Sequence, residues 1–191
     1  MMLRHGGFTL IELMVTLAMA AIVLTVGVPS FRDMVRKNEM AGYTNRLVGA
    51  LKLARSEAIK RGEPVSVCKS NTGNSCTGAG TNWEDGWIVF VNTDNDSPAA
   101  LDAGETILRV MPALKNAYTL RGTNNFASYL TYHPSGRANN MGHFVLCENN
   151  QLANSRAVFI NLTGKVYLGQ DSNGNKIPED DSNNDITTCT P

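Results

Sequence analysis

Glu12 is the residue whose chemistry is hardest to place. It lies near the start of an apolar run, in "GGFTLIELMV" from Gly6 to Val15. A carboxylate there is costly unless it reaches water or finds a cation. No Lys or Arg falls three or four residues away, so its partner must come from another chain or from a newly made terminus. Cys68, Cys76, Cys147 and Cys189 form the second set with chemical potential. An even count suits two disulfides in an oxidising compartment. Four cysteines allow three pairings, and the nearest-neighbour one joins Cys68 to Cys76 and Cys147 to Cys189. Zinc fits poorly, because no C-x-x-C knuckle is present and no histidine lies close by.

Other combinations are weaker. His5, His133 and His143 are scattered, no G-x-S-x-G occurs, and nothing marks a catalytic triad. No enzyme and no cofactor are expected. Asp94-Asn95-Asp96 and "DSNGNKIPEDD" are oxygen-rich. The second begins like a calcium loop at Asp171, Asn173 and Asn175. It then places Lys176 where glycine belongs and Ser182 where the bidentate acid belongs, so no metal is expected. Trp83 and Trp87 read as packing residues rather than a stacking platform for bases.

These residues need elements to hold them. The chain has 191 residues, which suits one domain beside an export segment, and Lys plus Arg equals Asp plus Glu at 17 each. Charge is uneven, however. Lys52, Arg55, Lys60 and Arg61 crowd "KLARSEAIKR" against Glu57, whereas the last 22 residues carry five acids and only Lys176. A short basic head with Arg4 precedes an apolar segment that runs for 21 residues from Phe8 to Val28, broken only by Glu12. That length crosses a bilayer core as a helix, with the head held in the cytoplasm. Pro29 follows and is expected to kink the helix.

From Ser30 the pattern turns amphipathic. Phe31, Val35, Tyr43, Leu47, Leu51, Ala54 and Ala58 form one stripe. Arg32, Asp33, Lys37, Asn45, Lys52 and Glu57 lie opposite. Lys60, Arg61 and Gly62 suit a helix end. A helix from Phe8 to Arg61 would be about 80 Å long. Strands are expected at 64–69, 86–91, 106–111, 118–121, 129–133, 143–147, 156–161 and 165–168, separated by Gly-, Asn- and Ser-rich turns. A helix followed by mostly antiparallel strands argues α+β.

Gly7-Phe8-Thr9-Leu10-Ile11-Glu12 beside a hydrophobic helix resembles the processing signal of type IV pilins and type II secretion pseudopilins. "LKLARSEAIKRGEPVSVC", "W-x-x-GWIVFVN" and "HPSGR" resemble, more narrowly, the minor pilins FimT and FimU and the H-type pseudopilin. The resemblance implies a pilin-like fold with four parts: a cleaved leader over 1–7, a hydrophobic membrane and filament-core helix over 8–29, an amphipathic helix over 30–62 and a β-rich periplasmic head over 63–191. It implies that a prepilin peptidase cuts between Gly7 and Phe8 and methylates the Phe8 amine. Glu12 then pairs with that amine on a neighbouring subunit and sets axial register, since a buried acid and a buried amine are each costly alone.

The implied protein is an inner-membrane minor pilin that primes pilus assembly near the fibre tip and supports twitching or adhesion. Its implied partners are other minor pilins, the major pilin and the inner-membrane assembly platform. The alternatives are an H-type pseudopilin among pseudopilins, and a DNA-binding minor pilin. Some FimT-like proteins carry G-R-x-R in the C-terminal part; here Gly164-Lys165-Val166-Tyr167 stands at the matching place. Lys165, Arg156 and Arg137 are the candidate DNA contacts, opposed by the acidic tail.

Overall fold

The computed structural model describes residues 7–78 and 80–191. Residues 1–6 of the expected leader 1–7, with Arg4 and His5, lie outside the described residues. The chain divides between Ala41 and Gly42 into two compact units.

In the first unit, helix α1 spans Leu10–Ile22, a π-helical turn spans Val23–Gly27, and α2 begins at Val28 and runs to Arg61. The π turn lies just before Pro29. Proline has no N–H for the carbonyl four residues back, and its ring crowds that carbonyl. The helix responds by widening: the Val28 N–H bonds Val23 O, five residues back. Thr25 Oγ1 bonds Ala21 O at 2.8 Å, which also loosens the ladder.

In the second unit, the closing part of α2 buries Thr44, Leu47, Ala50, Leu51, Ala54 and Ala58 at helical spacing. Phe31 and Val35 were expected on this stripe but stay exposed. They lie in the first unit, which contains no sheet to cover them. Gly62 adopts φ +71° and ends the helix, its N–H bonded to Ala58 O at 3.0 Å.

Eight strands follow: β1 Val65–Lys69, β2 Gly86–Val91, β3 Ile107–Pro112, β4 Tyr118–Gly122, β5 Tyr129–Tyr132, β6 Gly142–Glu148, β7 Gln151–Ile160 and β8 Val166–Leu168. They form two antiparallel sheets, ordered β3-β2-β1-β5 and β4-β6-β7-β8. The architecture is α+β. β1 and β2 are interior strands and are buried on both faces. Ser66 is tolerated inside because it bonds Thr131 Oγ1 at 2.7 Å and Asn92 Nδ2 at 3.0 Å. β7 starts five residues earlier than the polar stretch "QLANS" suggests. Asn149 and Asn150 both take positive φ, 50° and 58°, the backbone of a tight hairpin turn that pairs the strand back to Gln151.

Trp83 and Trp87 are buried. The Trp83 ring meets Phe144 edge-on at 4.9 Å, and its Nε1 donates to Phe126 O at 2.8 Å. Arg46 lies over Trp87 and donates to Pro112 O at 2.6 Å. Two further apolar clusters each contain a disulfide. Cys68–Cys76 joins Ile88, Phe90 and Ala99. Cys147–Cys189 joins Val145, Ala157, Phe159 and Ile186, so the tail lies strapped over one face of the second sheet.

Candidate assembly segment and head surface

The N-terminal segment is built around Thr9. This residue has extended backbone, φ −77° and ψ 153°, and its hydroxyl accepts the Glu12 N–H at 3.2 Å. It is therefore the N-cap of α1, and Glu12 is the third helical residue. Thr-x-x-Glu is the spacing of a capping box. Glu12 thus gains from its own helix: a carboxylate in the first turn meets the positive end of the helix dipole. Sequence reasoning treated Glu12 only as an acid awaiting an outside amine and missed Thr9. The Thr-x-x-Glu spacing was the signal that could have found it.

Gly7 and Phe8 precede the helix in non-helical backbone, and Phe8 is 83% exposed. Every described residue from Gly7 to Lys37 is exposed. Leu10–Arg61 is long and apolar enough to cross a membrane. So long an exposed apolar stretch is poorly suited to water.

In the head, Arg55 is the central cation. Its Nε donates to Gly136 O and its guanidinium also donates to Thr163 O, both at 2.9 Å. Two loops, 133–137 and 161–165, are thereby tied to α2. "HPSGR" forms a tight turn, with the Gly136 N–H on His133 O at 2.8 Å. Arg137 and Lys165 each follow a glycine of this junction and are exposed. Arg156 does not join them: it sits in mid-β7 opposite Leu146, five residues along the chain from Asn161. All three candidate DNA contacts are exposed, two at the loop junction and one on the strand. The Lys165 ammonium lies over the Tyr167 ring at 5.9 Å, and the Tyr167 hydroxyl binds the Asp181 carboxylate. An acid so near weakens attraction for phosphate.

The rest of the basic cluster, Lys52, Lys60 and Arg61, is exposed, and two of its members pair along the helix. Glu57 accepts Arg61 at 2.6 Å and faces Lys60 at 3.7 Å. The Arg61 hydrogen bond draws the Glu57 carboxyl below its usual range. In the oxygen-rich tail loop, Asp171 accepts the Gly174 and Lys176 N–H groups, and Asp185 accepts the Asn173 and Asn175 amides. That loop is closed on itself. Asp94, Asp96 and Asp102 bring their oxygens within 4.8 Å of one another. Desolvation by the neighbouring groups, and then repulsion from Asp94 and Asp96, push the pKa of the exposed Asp102 up.

Comparison with known proteins gives three findings. The family described as type II transport protein GspH matches residues 43–164, and the prokaryotic N-terminal methylation motif matches residues 2–28. The type IV major fimbrial protein FimA of Dichelobacter nodosus is 29% identical over 100 residues, which is 52% of this chain and 59% of that protein. The chain thus matches less than two thirds of that relative's length. Two crystal forms of the type IV minor pilin FimU of Pseudomonas aeruginosa share the fold. Their TM-scores are 0.55 and 0.50, each at 17% identity. These matches cover 82% and 80% of this chain and 98% of FimU in both cases.

Proposed function

The chain belongs to the GspH family of pilin-like subunits, which are structural and non-catalytic, and on that premise we propose that it is a minor type IV pilin. In this reading the leader ends at Gly7 and a prepilin peptidase cuts before Phe8 and methylates its amine. The helix from Phe8 anchors the subunit in the inner membrane with the head in the periplasm. The subunit then leaves the bilayer through an assembly platform, joins other minor pilins and primes the fibre near its tip, supporting twitching or adhesion.

The observation that carries this is the order of three features: the Gly7–Glu12 signal, a membrane-length apolar helix, and a head matching the family from residue 43. Assembly follows from physical terms. Apolar helices exchange lipid for one another, so bulk burial supplies direction only weakly. A single acid–amine pair fixes register, because every other register leaves a charge buried and unpaired. The Thr9 cap and helix dipole stabilise Glu12 before that pair forms.

Terminal sequencing of protein extracted from membranes tests the proposal. A methylated Phe8 terminus is expected, together with fibres that lose this subunit when Glu12 becomes alanine. An intact Met1 or Met2 terminus with unchanged incorporation of the Glu12→Ala variant would overturn it.

The second reading is an H-type pseudopilin of a type II secretion system, favoured by the description of the matching family. Both readings require the same helix. Partners captured with the full-length protein separate them: pilus minor subunits for the first, secretion pseudopilins for the second.

A further inference from the structure

Asn-x-Ser/Thr, with x not proline, is the triplet that accepts N-linked sugar in secreted proteins. It occurs twice in this chain, as Asn95-Asp96-Ser97 and as Asn161-Leu162-Thr163. A triplet alone is a common accident of composition, so the geometry around each asparagine must separate them.

Asn161-Leu162-Thr163 forms the tip between β7 and β8. The Asn161 N–H donates to Lys165 O at 3.3 Å and the Gly164 N–H to Asn161 O at 2.8 Å, with Gly164 at φ +78°. Leu162 is 41% exposed and Thr163 is exposed, so the tip is open to a second protein. The side chains of the triplet are already arranged. Thr163 Oγ1 donates to Asn161 Oδ1 at 2.6 Å, and the Lys165 N–H donates to the same oxygen at 3.0 Å. A backbone N–H can only donate, so the atom it meets is the carbonyl oxygen and Nδ2 is the other. Among the described residues nothing hydrogen-bonds Asn161 Nδ2, and that nitrogen is not buried. Donation to Oδ1 draws charge onto the oxygen and makes the Nδ2 protons easier to remove. Asn161 also lines an open cleft of about 310 Å³, with Met141, His143, Tyr167, Asp180 and Asp181 around it. A first sugar ring has room there.

The other triplet lacks this arrangement. The Ser97 hydroxyl is hydrogen-bonded to the Tyr129 hydroxyl at 2.7 Å rather than to Asn95, and Pro98 follows it directly.

We propose that Asn161 is an acceptor for an N-linked sugar. The donor is a sugar whose anomeric carbon carries a diphosphate, borne on a nucleoside or a polyisoprenol. Nδ2 forms the new bond to that carbon, and the carbon–oxygen bond to the diphosphate breaks. The diphosphate leaves with the bonding pair on its carrier, and one Nδ2 proton passes to a base of the transferase. Thr163 is the positioning residue. A sugar at this tip needs water around it, so this end of the head faces outward from the fibre. That last point rests on the assembly reading; the acceptor chemistry does not.

The test is mass spectrometry of the full-length protein purified from its own cells. Trypsin releases residues 157–165 between Arg156 and Lys165. This peptide should carry added sugar mass, located on Asn161 by fragmentation, while the peptide containing Asn95 stays bare. A single sugar unit identifies a nucleoside-borne donor, and a preassembled oligosaccharide a polyisoprenol-borne one. Asn161→Asp removes the acceptor nitrogen but keeps an oxygen for Lys165 and Thr163, so the sugar should be lost while near-ultraviolet circular dichroism is unchanged. Thr163→Val should also lose it, and Thr163→Ser should keep it. An unmodified 157–165 peptide, sugar on Thr163 instead of Asn161, or sugar that survives Thr163→Val would each overturn the proposal. The same digest reads the mature N-terminus, so an intact Met1 terminus would count against the assembly reading and leave the Asn161 result standing.

Discussion

Gly164 packs against Gly136 so closely that a Cβ on Gly164 would fall 2.0 Å from the Gly136 carbonyl oxygen. That oxygen is already held by Arg55 Nε, and Gly164 itself has φ +78°. Both space and backbone therefore require glycine. Gly164→Ala should destabilise the head by roughly 2–4 kcal/mol. Near-ultraviolet circular dichroism of the buried Trp83 and Trp87 during thermal unfolding would measure it. Unchanged unfolding would refute the contact.

Arg55→Met should cost about 2–3 kcal/mol, because two loop carbonyls lose a charged donor. Arg55→Lys should recover little of this, since one ammonium cannot reproduce a planar fork reaching two loops. Denaturant midpoints of the three proteins give the comparison, and full recovery by lysine would contradict the two-loop role.

The disulfides should differ in weight. Cys147–Cys189 closes 42 residues and Cys68–Cys76 closes 8. Loop-closure entropy assigns about 4 and about 2.5 kcal/mol. Cys147→Ser with Cys189→Ser should also lift the tail and expose Phe159 and Val145, raising binding of a hydrophobic dye. Equal dye binding in both double variants would argue against the strap.

His143 makes stability depend on pH. Burial lowers its pKa, and the Asp180 carboxylate partly offsets this. The folded state therefore binds this proton less readily than the unfolded chain. The resulting stability is fully present above the unfolded value of about 6.5 and is lost as pH falls from there through the folded pKa. His143→Gln should flatten that part of the stability curve. Asp180→Asn should move the His143 titration lower still. Following the ring protons by NMR decides both; a midpoint above 6.5 would be the wrong sign.

Thr9→Ala should loosen the start of α1 by about 1 kcal/mol, whereas Thr9→Ser keeps the acceptor and should cost little. Amide exchange at Glu12 in the micelle-bound protein is the direct readout. If alanine leaves that amide as protected as before, Thr9 does not cap the helix.

Much of this molecule was legible in its residue order. The apolar run after Phe8, the Leu47–Ala58 part of the stripe expected from Phe31, and the approximate positions of the eight strands follow from local periodicity, which needs no knowledge of distant partners. The Thr-x-x-Glu cap was equally local and was overlooked beside the louder signal of a charge in an apolar run. Only the tertiary structure decided which distant residues meet. Arg55 finds Gly136 and Thr163, 81 and 108 positions away. It divides the candidate cations, joining Arg137 to Lys165 through adjoining loops and leaving Arg156 in mid-strand. It closes the tail over the second sheet, so that Asp180 and Asp181 face His143 across a cleft. Periodicity records which side of a strand is apolar. Which strands lie adjacent, and what then crosses them, is settled by long-range packing that no local pattern encodes.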